Sequence, residues 1–79
     1  MTARVYVGGL SDFVTDGQLR DLCAPHGTVT SALVIIDQWT GKSRGYGFVE
    51  MGSAEESQRV VAALDAALVV GHRLRCFLS

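Results

Sequence analysis

The chain has 79 residues, 48% of them hydrophobic and 19% charged, and a formal net charge of −1 at pH 7. That length allows one domain, residues 1–79, with a modest core and no room for a large enclosed active site. The composition is globular, no apolar run approaches the ~20 residues of a membrane span, and the near-neutral balance argues against strong non-specific attraction to nucleic acid.

Met1-Thr2-Ala3-Arg4-Val5 leads straight into a strand pattern and carries no apolar signal segment. The expected location is cytoplasmic, or nuclear in a eukaryote, with Cys23 and Cys76 as reduced thiols. Arg4-Val5-Tyr6-Val7 alternates like a strand and is stopped by Gly8-Gly9. Thr15-Asp16-Gly17-Gln18 fits a capping box, a hydroxyl followed three residues later by Gln. It opens a helix with Leu19, Leu22 and Cys23 on one face, ended by Pro25 and Gly27. Val29 to Ile36 is a β-branched run and reads as a strand. Gln38 to Ser43 is a loop, and Tyr46 to Met51 is the third strand. Ser53-Ala54-Glu55-Glu56 predicts a second capping box and a helix with Val60, Val61 and Leu64 inward. Leu68-Val69-Val70 is a short extended piece turned by Gly71-His72, and Arg73 to Leu78 is the last strand.

The order β-α-β-β-α-β predicts an α+β, ferredoxin-like sandwich: four antiparallel strands with both helices on one face. The other face is left uncovered. Strand alternation puts Val5, Val7, Gly47, Val49, Met51, Leu74, Cys76 and Leu78 toward the helices. It leaves Tyr6, Tyr46, Phe48, Phe77, Leu33 and Ile35 on the open face, rimmed by Arg4, Lys42, Arg44 and Arg75. Placing Val29, Ala32 and Val34 inward together needs a bulge between Val29 and Ala32.

The net charge hides a polarised molecule. Five of the seven basic residues fall on the strands or the loop joining them, and six of the eight acidic residues fall in or beside the helices. Rings for bases and cations for phosphates make the pattern of a platform for single-stranded nucleic acid. Trp39 is either a loop-tip ring that stacks a base or a surface Trp packed on its own loop.

Other motifs carry less. Cys23-x-x-His26 and His72-x-x-x-Cys76 have ligand-like spacing, but both cysteines read as core-facing and His72 sits in a turn, so no metal or cofactor is expected. Gly41-Lys42-Ser43 ends like a phosphate-binding loop, yet Ile36 stands where that motif needs its first Gly. Neither His has an acid or nucleophile partner, so the chain does not read as an enzyme.

Arg44-Gly45-Tyr46-Gly47-Phe48-Val49-Glu50-Met51 resembles the first signature of the RNA recognition motif family, with seven of eight positions fitting. Val5-Tyr6-Val7-Gly8-Gly9-Leu10 resembles its second signature, with Gly9 where Asn is common, and the loop from Asp37 to Arg44 resembles its β2–β3 connection. The resemblance covers essentially the whole chain and extends to small single-motif bacterial members. It implies single-stranded RNA as ligand, with single-stranded DNA as an alternative. By that resemblance Tyr6 and Tyr46 stack bases, Phe48 packs on sugar or base, and Arg44 meets phosphate. Departures are Met51 for the last signature aromatic, Cys23 and His26 for usual Phe, and Ala66 for a Gly after the second helix. Leu33 and Phe77 replace common polar residues and make the face greasier. That leaves a second expectation, a protein-docking or weakly self-associating module on the same face.

Overall fold

The computed structural model describes residues 3–79, so Met1 and Thr2 of the stretch leading into the first strand lie outside the described residues. The elements are β1 (Arg4–Gly8), α1 (Asp16–Cys23) with a 3-10 turn (Ala24–His26), β2 (Val29–Ile36), β3 (Ser43–Met51), α2 (Ala54–Leu64), β4 (Leu68–Val69), β5 (His72–Arg73) and β6 (Arg75–Leu78). The main sheet runs β2-β3-β1-β6, antiparallel throughout. This is the βαββαβ sandwich the sequence implies, with a small β4–β5 hairpin set before the last strand. No helix among the described residues is long and apolar enough to cross a membrane.

Alternation builds the core. Val5, Val7, Val49, Leu19, Cys23, Val60 and Leu74 are fully buried, with Met51, Cys76 and Leu64 beside them. Burial pushes the Cys23 thiol up to about 11. Burial, helped by the Asp65 carboxylate, pushes Cys76 up to about 12. Both side chains therefore behave as small apolar residues at neutral pH. Asp65 has a further job: its Oδ1 accepts the backbone N–H of Cys76 at 3.0 Å, on the edge strand of the sheet.

The bulge required in β2 is present. Val29 faces Met51 and Ser31 faces Glu50, so β2 carries one extra residue there. The Thr30 hydroxyl donates to the Glu50 carbonyl at 3.0 Å beside it. A second irregularity, not foreseen, lies between Val34 and Ile36, where β3 bulges. The bulge lets the Gly45 carbonyl accept the Leu10 N–H at 2.8 Å. β3 therefore starts at Ser43, three residues before the expected Tyr46.

The last strand is split. Leu74 donates its N–H to the Ala67 carbonyl and accepts from the Ala66 N–H, both at 2.8 Å, so the chain at Arg73–Leu74 leaves β1 for the segment after α2. Leu78 shares the helix side with its partner Val5, but lies at the strand end beyond helix cover and is 45% exposed, not packed inward.

The first capping box forms as read: Thr15 Oγ1 accepts from the Gln18 N–H at 3.2 Å and Gln18 Oε1 from the Thr15 N–H at 3.0 Å. The second is only half a box. Ser53 Oγ accepts from the Glu56 N–H at 3.2 Å, but the Glu56 carboxylate accepts the backbone N–H of Thr28 and the Ser53 hydroxyl. Glu56 thereby pins the entry of β2 to the first turn of α2. The Thr28 N–H, then the Ser53 hydroxyl, hold its carboxyl below the usual carboxylate range. A depressed acid stabilises the fold above its ordinary value near 4.5, and that stability is lost as pH falls through the folded value. Glu56→Gln is expected to lower Tm at pH 7 and to flatten the fall of Tm on going from pH 5 to pH 3, as read by circular dichroism.

Two non-glycine residues sit at positive φ: Ala66 (66°), just past α2, and Val70 (52°), in the two-residue Val70-Gly71 turn of the hairpin. A β-branched residue is poorly suited to that turn, which favours Asn-Gly. Ala66→Gly and Val70→Asn are each expected to stabilise by about 1 kcal/mol, raising Tm by roughly 8–16 °C together. Thermal melts of the two single variants and the double check this.

Candidate nucleic-acid interface

The register sets the open face in rows. Leu33 opposes Phe48, Phe48 opposes Tyr6, and Tyr6 opposes Phe77, so one apolar row crosses all four strands. Three inter-strand steps make that row ~14 Å wide. In the next row Tyr46 opposes Gly8 and Gly8 opposes Arg75. In the row on the other side Arg4 opposes Glu50.

Gly8 is the floor beneath a ring. A methyl group there would come within 2.5–2.9 Å of Tyr6 Oη, Cε1 and Cζ, so the Tyr6 ring lies along β1 over Gly8. This places it 5.6 Å from the Tyr46 ring, inclined 29°, and 4.5 Å from Phe77, inclined 20°. Phe48 meets Tyr6 and Tyr46 edge-on, at 5.9 and 6.1 Å. The Arg4 guanidinium sits 4.1 Å from the Phe48 ring centre, a cation–π contact. Leu33 and Phe77 are each about half exposed (52% and 51%).

The β2–β3 loop is held by Asp37, which sequence reasoning did not single out. Asp37 Oδ1 accepts from the Trp39 N–H at 2.8 Å and the Thr40 N–H at 3.1 Å, and Oδ2 pairs with Arg44 at 3.2 Å. The Thr40 and Trp39 N–H groups, then Arg44, hold its carboxyl below the usual range, so the loop is fixed at neutral pH. The Asp-to-i+2 spacing of Asp37 and Trp39 was the available signal. Trp39 is 94% exposed and does not pack on its own loop. With Arg44, Gln38, Ile35 and Ile36 it borders a hollow of about 350 Å³ that reaches Tyr46.

The structure thus gathers Tyr6, Tyr46, Phe48, Phe77, Leu33, Arg4 and Arg75 on one face, with Arg44 and Trp39 at its corner. Lys42 is set apart from them. It lines a cleft of about 600 Å³ between the β2–β3 hairpin and the β1–α1 loop, where Phe13 stands 86% exposed. Phe13 was missed because it lies between β1 and α1, where no strand or helix period assigns a side chain to a face. Among the described residues no group of three or more His, Cys, Asp or Glu side chains is placed to hold a metal ion.

Comparison with known proteins decides the family. A model of the RNA recognition motif matches residues 5–75. The chain belongs to the RNA recognition motif family. Its two signatures are therefore the adjacent strands β1 and β3, and Met51, the departure at the end of the first, is a core residue rather than a missing surface ring.

This motif is 45% identical over 74 residues to the chloroplastic 28 kDa ribonucleoprotein of Spinacia oleracea, covering 94% of this chain and 32% of that protein. It is 42% identical over 71 residues to the protein RbpB of Nostoc sp., covering 90% of this chain and 69% of RbpB. The chain spans about a third or less of the first chloroplast relatives it matches. Among solved structures, the RNA15 recognition motif superposes with a TM-score of 0.94 at 32% identity, over 99% of this chain and 90% of that one. The Rna15 motif with bound RNA (GU) superposes with 0.89, also at 32% identity, over 100% of this chain and 84% of that one.

Proposed function

We propose that this recognition motif binds single-stranded RNA, and acts by binding alone. Bases stack on Tyr46, Tyr6 and Phe48. Arg4, Arg44 and Arg75 meet phosphates around them, Lys42 extends the cationic rim along the β2–β3 loop, and Trp39, Leu33 and Phe77 border the bound RNA. The observation that carries this reading is the row of rings across an uncovered sheet, with cations at its margins. A monomeric surface keeps such rings open only where something stacks on them. A recognition motif of similar structure is known with bound RNA, which supports the same ligand class here.

Two to four nucleotides fit across the strands. Stacking contributes ~1–3 kcal/mol per base, so two or three stacks with a few phosphate contacts give a Kd around micromolar. Because every base has a π-face, single-stranded DNA is the expected weaker alternative. The role such binding serves is post-transcriptional regulation. A reducing, cytoplasmic setting fits two buried, unpaired cysteines.

A second reading rests on one observation: Leu33 and Phe77, each about half exposed, add aliphatic and aromatic surface to the face. On that reading the sheet docks a protein or a second copy. Salt separates the two. Fluorescence anisotropy with a labelled RNA hexamer is expected to give a slope of log K against log salt of roughly −1.4 to −2.1, from about −0.7 for each of two or three phosphates. No RNA binding at low salt, with self-association that survives high salt in sedimentation, would favour the apolar interface instead.

A further inference from the structure

Two of the platform rings stack on each other. Tyr6 and Phe77 are directly opposed across β1 and β6, and their rings lie 4.5 Å apart at 20°. That is an offset face-to-face stack, the geometry a base would adopt on Tyr6. The cause is strand spacing: neighbouring strands are only about 4.8 Å apart, too close for two opposed rings to lie flat and uncovered side by side. Gly8 lies under the same Tyr6 ring, so the ring cannot sink away from its neighbour. Phe77 is 51% exposed and belongs to no core cluster, so it can rotate outward without opening the core. Tyr46 is less covered, since its nearest ring is 5.6 Å away.

We propose that Phe77 is an affinity-limiting cap: it occupies the face of Tyr6 that a base must take, and RNA binds there by displacing it. This rests on the reading of the face as an RNA platform. Tyr46 takes the first base and Tyr6 the next, once Phe77 has swung out. The cost of moving Phe77 is the same whichever base follows, so the cap lowers affinity without choosing among bases.

The test compares wild-type protein, Phe77→Thr and the control Leu68→Thr, whose side chain is exposed on the β4–β5 hairpin. Thr keeps β-propensity at position 77, and amide spectra verify the fold. Anisotropy is read with hexa-adenylate and hexa-uridylate. Phe77→Thr is expected to bind both more tightly, about three- to ten-fold, by a similar factor on each. Comparing each oligomer with itself cancels the stacking of the free strand. Leu68→Thr is expected to match wild type. Wild-type binding with an equal or weaker Phe77→Thr overturns the cap and leaves the platform standing. No binding by either wild type or Phe77→Thr overturns the platform reading, and the cap with it.

Discussion

Tyr46→Ala with Phe48→Ala is expected to abolish RNA binding at micromolar protein while the fold survives. Each ring supplies ~1–3 kcal/mol of stacking, so losing both weakens binding by roughly 30-fold to 10⁴-fold from an already micromolar Kd. The loss is not only of area. Phe48 also carries the Arg4 guanidinium, so its removal unseats a cation at the margin of the face. Survival of the fold follows from burial. Tyr46 and Phe48 lie on the uncovered side, whereas Gly47 and Val49, which alternate with them, are buried against the helices. The edge-to-face contacts given up contribute about 0.5–1.5 kcal/mol each, well inside what a domain this size retains. Anisotropy for binding and circular dichroism for fold separate the two effects. Each single variant should show a partial loss.

Gly9→Asn is expected to be the most damaging change to stability among substitutions the family itself makes common. Gly9 has φ +76°, which Asn tolerates better than other side chains, so backbone angle alone would permit it. Space does not. A Cβ at Gly9 would collide with the Arg73 carbonyl oxygen and lie 3.3 Å from its carbon and 3.5 Å from Leu74 Cα, all of them backbone atoms. That backbone is fixed by the paired bonds between Leu74 and the Ala66–Ala67 segment. The cost is about 3 kcal/mol, and Tm should fall by roughly 12–24 °C. Gly41→Asn is the matched control: its φ is +72°, but nothing lies within 4 Å of the added carbon, so it carries only the small backbone cost Asn has there and its Tm should fall far less. The departure of Gly9 from the family pattern is thus explained by how closely this chain packs the segment before β6 against the turn after β1.

What was legible in the sequence is what short-range patterns encode. β2 runs from Val29 to Ile36 as its β-branched run implies, and the Thr15 box and the bulge before Ala32 follow from neighbours in sequence. The positive φ at Ala66 could be anticipated from the residue type common after that helix. What stayed hidden depends on distant partners. Glu56 has the spacing of a capping box, yet its carboxylate serves the Thr28 N–H, 28 residues away. The last strand is broken by Leu74 bonding to Ala66 and Ala67 rather than to β1. Leu78 alternates inward but sits beyond the helices that would cover it.

The same division holds at the interface. Alternation places Tyr6, Tyr46, Phe48 and Phe77 on one face. It cannot give the register that sets Phe77 directly opposite Tyr6, nor show that Gly8 lies beneath the Tyr6 ring. Arg44 was expected at phosphate from its place in the signature. The structure adds that Asp37 already holds it, so a phosphate there competes with a carboxylate.

The most direct measurement is an amide NMR titration of the protein with a randomised RNA hexamer, repeated with the matching DNA. RNA binding on the sheet requires shifts concentrated in β1, β3 and β6 and at Trp39 and Arg44, with the amides of α1 and α2 unmoved and the DNA shifts smaller. Unchanged β1 and β3 amides at millimolar RNA, or shifts confined to the helices, would contradict the account.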